Sequence, residues 1–384
     1  MPINYLELQP QVTEYCLHAR DQISKRPERV NTAIALLSRL ADEIQKEKHQ
    51  DLPVTISKSS VKRSALPAHE IVNSAYQPEN LSGAYELLAS DGSQITSTHH
   101  DRLPIALINT ATVHMKPGSG KAPQTTTQTE FIRTQGGSIS IEFLPEQRVN
   151  TMRDVRELQV LANFHYASDN PLIVLGDGPL ELFQEPRSGE EHQILFRDYQ
   201  QALYSLCNQN RIIAGYTDKP RADLVARLLE WVYRAEPELD ISNISDAEIF
   251  SELLEPGCRS AIFRLHSPSS TTYLNEIALH FFYLNVGRQK QPWIVRVEIT
   301  ASTASNPAFV TLLQHALLSQ CAMMGARPYP YILHRAHEEA VVQFEERQGV
   351  IDMLTHTLFE MGIQPDGQSN KLIAKELGKR TRLK

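Results

Sequence analysis

The chain has 384 residues, enough for two or three lobes with a sizeable core, and its hydrophobic and charged fractions are those of an ordinary globular protein. A net charge of −7 excludes a generally basic nucleic-acid coat, so any DNA contact must be local to a groove or channel. Four scattered cysteines (Cys16, Cys207, Cys258 and Cys321) with no CxxC pair argue against structural zinc and for reduced thiols. The opening residues MPINYLELQP lack a basic stretch followed by an apolar one, so no signal peptide is expected. No run of about 18 apolar residues predicts a membrane helix, and the cytoplasm is the expected location.

Residues 1–80 read as a helical, peripheral region. Segment 30–45 (VNTAIALLSRLADEIQ) places Ile34, Leu36, Leu37, Leu40, Ala41 and Ile44 along one helical stripe. Segment 52–67 is polar with two prolines and reads as a linker, with a boundary near 80. The pattern then changes. Residues 84–95 predict a first strand and 103–114 a second, rich in Ile, Thr and Val. Residues 115–128 (MKPGSGKAPQTTTQ) read as a flexible loop, and the alternating 138–143 (SISIEF) as a third strand. A helix follows over 149–166, a fourth strand over 172–175, a helix over 199–209, a fifth strand over 211–216 and a helix over 222–233.

This β-β-β-α-β-α-β-α order predicts an α/β fold. Its centre is an RNase H-like mixed five-stranded sheet flanked by helices, with the first and fourth strands adjacent. Beyond 240 a C-terminal α/β extension is expected. It has a helix at 246–254, strands at 260–265, 277–284 and 293–299, a long helix at 309–324, and a helix at 336–348 continuing through 355–361. The expected organisation is an N-terminal helical region (1–80) and a main α/β domain over 81–350, its core at about 82–235 and its extension at 240–350. A C-terminal helix and basic tail (351–384) complete it.

The candidate chemistry lies at two strand ends. The apolar run 87–89 leads to Asp91-Gly92-Ser93, and the run 172–175 leads to Asp177-Gly178. Each Asp-Gly is also the composition of an ordinary turn. Two such carboxylates at the centre of one sheet would repel unless a cation or proton sat between them. Glu157 heads an apolar row of Val160, Leu161 and Phe164, so it points towards the sheet, whereas Arg153 and Arg156 read as solvated. Three carboxylates without cysteine make a hard oxygen site suited to Mg2+ or Mn2+, and two ions would serve phosphodiester cleavage.

His337, read as beginning a helix, is a further candidate ligand or proton carrier, or a structural histidine. Tyr329 nearby is more often a packing residue. Gly118-Ser119-Gly120-Lys121 is only half a phosphate loop, since Met115 and Ala122 stand where glycine and Ser/Thr are required. His99 and His100 follow the first strand, and Asp366-Gly367 reads as a plain turn. Lys219, Arg221, Arg259, Arg264 and Arg296 are candidate phosphate contacts or ordinary surface cations.

A set of motifs in order then resembles the NurA nucleases. They are Asp91-Gly92-Ser93-Gln94-Ile95, Glu157, Gly176-Asp177-Gly178-Pro179-Leu180, Ala214-Gly215-Tyr216 with Lys219-Pro220, and Gly257-Cys258-Arg259-Ser260. Phe282-Tyr283-Leu284-Asn285-Val286-Gly287, Arg296-Val297-Glu298 and Tyr329-Pro330 through Ala336-His337 complete the series, which covers about 84 to 345. One departure is Ile299-Thr300-Ala301, where a proline is more usual. The resemblance implies a manganese-dependent DNA endonuclease and 5′-to-3′ exonuclease. It also implies a homodimer enclosing a DNA channel, working with the hexameric ATPase HerA in DNA end resection and double-strand-break repair. Through it, Asp91, Glu157, Asp177 and His337 become expected metal ligands and Tyr329 a supporting residue. The competing expectations are a non-catalytic DNA-end clamp or adaptor for a translocase, and an RNA-directed RNase H-like enzyme.

Overall fold

Apolar stripes and alternating runs fold into twenty-one strands and α-helices in a computed structural model that describes residues 4–363, apart from 50, 60, 82, 97–104, 134–137, 140–143, 183–188 and 237. Along the chain they begin with α1 (Tyr5–Gln45), α2 (Leu52–Ser57), β1 (Ser64–Pro67) and β2 (Ala75–Tyr76). Next come β3 (Glu86–Thr96), β4 (Ala106–Met115), β5 (Gln124–Phe131), α3 (Glu146–Ala162), β6 (Leu172–Asp177), α4 (Glu190–Asn208) and β7 (Ile212–Thr217). Then follow α5 (Leu224–Val232), α6 (Asp246–Leu253), β8 (Arg259–Ser260), β9 (Phe263–His266), β10 (Leu279–Asn285), β11 (Ile294–Thr300), α7 (Ala301–Ala304) and α8 (Pro307–Met323). The last two are α9 (Tyr331–Ala340) and α10 (Phe344–Glu360).

These elements form two compact units that interleave along the chain. One takes Met1–Leu81 and Tyr216–Cys321, the other Ser82–Gly215 and Ala322–Lys384. The first unit contains the antiparallel β1-β9-β10-β11 run, with β8 pairing β10 and β2. Its core is aromatic, with Phe250 stacked on Tyr283 at 4.7 Å and Phe263 on Phe281 at 5.7 Å. Buried Asp246 takes up the free backbone N–H groups of Val225 and Ala226 at the start of α5 and accepts the Tyr283 hydroxyl at 2.6 Å.

The second unit holds the candidate site. Its strands lie in the order β7-β6-β3-β4-β5. β3, β4 and β5 form an antiparallel meander, with Asp91 opposite Ala111, Ser93 opposite Asn109, and Asn109 opposite Thr129. β6 returns beside β3 in parallel, Ala89 opposite Leu175. A three-stranded meander with further strands added on the far side of its first strand is the RNase H-like arrangement. The apolar runs 87–89 and 172–175 are fully buried, as strands covered on both faces should be.

Four local expectations need correction. Asp91-Gly92 does not end the first strand in a turn, because β3 continues to Thr96. Of the strand expected over 138–143, residues 140–143 lie outside the described residues, and the third strand of the described sheet is β5. It reaches into the segment read as a loop. Residues 52–67 are not simply a linker, since they hold α2 and β1. The helix expected from 336 begins at Tyr331 and stops at Ala340, so His337 sits in its last turn, and α10 is separate. His99, His100, Asp366, Gly367 and the basic tail lie outside the described residues. Among the described residues, no helix is long and apolar enough to cross a membrane.

Candidate active site

The site is organised by alternation along β3. Residues of a strand point to opposite faces in turn, and α3 and α9 each contact β3. Ser90, Gly92 and Gln94 meet α3. The Ser90 hydroxyl donates to the Glu157 carbonyl at 2.9 Å, and the Gln94 amide to Asn150 Oδ1 at 2.5 Å. Between them Gly92 leaves a gap that α3 fills, because a Cβ at this position would stand 2.6 Å from Glu157 Oε1 and 2.7 Å from Arg153 Cγ. Gly92 is thus a place of close helix approach rather than a turn residue.

The alternate residues, Asp91 and Ser93, meet α9. His337 Nδ1 lies 2.7 Å from Asp91 Oδ2. One turn on, the Ala340 carbonyl accepts from the Ser93 hydroxyl and from the Asn109 amide, the latter at 2.8 Å. Asn109 in turn accepts from the Thr129 hydroxyl at 2.6 Å. A polar row across β3, β4 and β5 therefore fastens the end of α9 and fixes the turn that carries His337.

Asp177 ends β6 in an exposed position, followed by a true turn at Gly178, whose φ of +100° favours glycine. β3 and β6 pair as far as Ala89 and Leu175, so Asp91 and Asp177 each lie two residues beyond the last pair. Glu157 and Asp177 both line a cleft of about 400 Å³, together with Asp154, Ser90 and Tyr199. Gly215 on β7 allows the Asp177 turn to lie close, since a Cβ there would be 2.5 Å from the Gly178 carbonyl.

The electrostatics centre on Glu157. Burial, then the charges of Asp154 and Asp91, push its carboxyl up to about 8, against the opposing pull of Arg153; Asp177 adds to the rise. Asp154 is raised as well, mainly by burial. The Arg153 guanidinium stands 3.2 Å from Glu157 Oε1 through Nε and 3.1 Å from Asp154 Oδ1 through Nη2. Neither Arg153 Nε nor Glu157 Oε1 finds a hydrogen bond, so charge alone holds that contact.

Among the described residues, no three histidine, cysteine, aspartate or glutamate side chains stand close enough together to hold a metal ion as they are. In kind the donors do suit a hard divalent cation. Asp91, Glu157 and Asp177 offer only carboxylate oxygens, and one buried Glu157 oxygen lacks a hydrogen-bond donor.

The sequence expectation for the acidic residues thus resolves into two pairings. Glu157 and Asp177 share the cleft, while Asp91 and His337 pair across the α9 side. Tyr329 is half-buried just ahead of α9. The five candidate phosphate contacts lie in the other unit. Lys219 is exposed, its ammonium 4.2 Å from the Trp293 ring centroid. Arg259 and Arg296 are buried and have acidic partners. Arg259 binds Glu70 through two contacts of 2.9 and 2.8 Å, and Arg296 pairs with Glu298 at 2.8 Å. Sequence reasoning missed Arg153 and Asp154. The signal was present, because Arg153 lies four residues and Asp154 three before Glu157, on one helical face.

An RNase H-like sheet with carboxylates on its central strands and facing helix defines a nucleic-acid phosphodiester hydrolase as the class. The NurA domain family matches over residues 85–342, more than half of the chain, and the chain belongs to that family. No curated protein matches it. Among solved structures it is similar to Ciona intestinalis Endonuclease V in complex with an inosine-containing 24mer DNA, at 11% identity and TM-score 0.32, covering 71% of this chain and 89% of that one. It is also similar to the catalytic domain of human Endonuclease V, at 12% identity and TM-score 0.33, covering 71% and 85%. The type 1 RNase H LC9-RNase H1 matches at 8% identity and TM-score 0.22, covering 43% and 78%.

Proposed function

We propose that this chain is a divalent-metal-dependent DNA nuclease, cutting single- and double-stranded DNA as an endonuclease and a 5′-to-3′ exonuclease. The observation that carries the reading is a set of acidic side chains at one place, Asp154, Glu157 and Asp177 lining one cleft and Asp91 near enough to help raise the Glu157 carboxyl. Clustered acidic groups repel one another, and a bound cation would reduce that cost. Asp91, Glu157 and Asp177, with His337 beside Asp91, are the residues that would hold one or two Mn2+ or Mg2+ ions. Such ions would supply activation of water and stabilisation of the leaving oxygen. His337 is oriented through Nδ1 by Asp91, which leaves Nε2 outside that contact. Tyr329, at the entry to α9, supports that side of the site. Lys219, Arg221 and Arg264 remain exposed candidates for a DNA phosphate.

Membership in the NurA family supports the wider setting: a cytoplasmic homodimer acting with a HerA-type hexameric ATPase in DNA end resection and double-strand-break repair. The deciding experiment compares wild type with Asp91→Ala on linear single- and double-stranded DNA in manganese, magnesium and calcium. Loss of cleavage in Asp91→Ala, with unchanged melting and solution mass, is expected. Full activity in that variant would overturn the assignment.

A further inference from the structure

The turn after β7 and the hairpin joining β10 to β11 concentrate positive charge on an acidic chain. Residues 217–221 and 286–293, both in the first unit, hold Lys219, Arg221, Arg288 and Lys290 against a single acid, Asp218. All four cations are exposed. Asp218 is engaged elsewhere, accepting the Trp293 Nε1–H at 2.7 Å. Among the described residues, Lys219, Arg221 and Lys290 make no ion pair. Lys219 is nevertheless held in place. Its ammonium stands 4.2 Å from the Trp293 ring centroid, and its backbone is left-handed, φ +45°, directly before Pro220. Such backbone strain in a side-chain-bearing residue costs more than an exposed cation–π contact returns. Lys290 is left-handed too, φ +71°, in a turn closed by the Arg288 N–H on the Gln291 carbonyl at 3.1 Å and the reverse bond at 3.0 Å. The neck of the hairpin is pinned as well. Asn285 Oδ1 accepts from the Gly287 and Trp293 backbone N–H groups at 2.9 and 3.1 Å, and a Cβ on Gly287 would collide with the Gln291 carbonyl.

We propose that this turn and hairpin form a prearranged grip on the DNA backbone, in which Lys219, Arg221, Arg288 and Lys290 contact phosphates and Trp293 is the post that positions Lys219. This rests on the reading of the chain as a DNA nuclease. It adds where a chain of net charge −7 takes hold of a polyanion. Cations already fixed by a ring and by closed turns lose little freedom when a phosphate arrives, and each contact releases counterions from the DNA.

The test is binding of a fluorescein-labelled oligonucleotide, single-stranded and duplex, measured by anisotropy over a range of salt with EDTA present, beside thermal melts and a manganese cleavage assay. Lys219→Ala and Lys290→Ala should each lower the slope of log affinity against log salt by about 0.7–0.9, a loss of roughly five- to eightfold at about 0.1 M salt. Lys25→Ala, exposed on α1, should match wild type. Trp293→Leu should weaken binding as Lys219→Ala does, and the double variant should be no weaker than Lys219→Ala alone. Lys219→Gly, which takes the left-handed turn without strain, should bind as weakly as Lys219→Ala yet melt no lower than wild type. A lower melt for Lys219→Gly would make the lysine a structural residue and overturn the proposal. Losses that add in the double variant overturn the positioning role of Trp293. Variants that keep wild-type affinity and slope overturn the phosphate contact alone. Wild type that neither binds nor cuts DNA overturns both this grip and the nuclease reading.

Discussion

Gly92→Ala separates the two physical roles a glycine can have. The Gly92 φ lies outside the left-handed region, so alanine there carries no backbone strain. Its Cβ would meet Glu157 Oε1 at 2.6 Å and Arg153 Cγ at 2.7 Å, where ordinary contact begins at 3.4 Å. Something must therefore retreat by about 0.8 Å, and the carboxylate at the end of a flexible side chain yields most readily. The expected stability loss is that of modest overpacking, about 1–3 kcal/mol. The expected loss of activity is larger in proportion, because displacing a reacting group by about 1 Å costs on the order of 100-fold in rate. Steady-state cleavage of a linear duplex in manganese, beside a urea melt, measures both. A variant that retains cleavage within threefold of wild type would refute the claim that Gly92 exists to admit Glu157. Global unfolding would show that α3 cannot relax at all.

Three further outcomes follow from the same geometry. Asn109→Ala removes a buried donor to the Ala340 carbonyl and an acceptor for Thr129, and should cost about 1–3 kcal/mol while lowering cleavage through His337; an unchanged urea midpoint would sink the idea that this row fastens α9. Gly215→Ala drives a Cβ to 2.5 Å from the Gly178 carbonyl and 3.0 Å from the Leu180 N–H, backbone atoms that cannot swing aside. A loss of about 1–3 kcal/mol is expected, and a wild-type Tm would count against it.

Glu86, buried at the start of β3, is pushed up by burial, but hydrogen bonds from Ser168, Lys116, Asn170 and His114 outweigh this and hold its carboxyl at about 2. A depressed carboxylate stabilises fully above its unfolded value near 4.5 and loses that contribution as pH falls towards 2. The contribution is about 3 kcal/mol. Urea melts at pH 6 and pH 3 should show wild type losing more stability than Glu86→Gln, and equal losses would exclude it.

What could be read from the sequence was whatever repeats along one strand or helix. The buried runs before Asp91 and Asp177 are unmistakable, and the β-β-β-α-β-α-β order fixes which strands meet. The third strand was hidden because β5, Gln124–Phe131, lies on the sheet edge with seven exposed residues and no apolar alternation to betray it. Most of α1 was hidden for a similar reason, since its first half is exposed and only the stripe from Val30 onwards is buried. Arg259 shows a different limit. A charge paired in the core with Glu70, 189 residues away, leaves the same letter in the sequence as a charge waiting for a phosphate. Arg153 was legible as an i,i+4 partner of Glu157, yet its burial depends on Gly92, a residue on another element.

The histidine that touches Asp91 lies 246 residues further along the chain. During synthesis at roughly 5–20 residues per second, Asp91 leaves the ribosome about 12–50 seconds before its partner. Within that interval β3 can pair with β4 and β6, but the turn that carries His337 and the carbonyl that fastens it do not yet exist. The contact between Asp91 and His337 thus forms late in translation, and a chain released before α9 holds the acidic residues without the histidine.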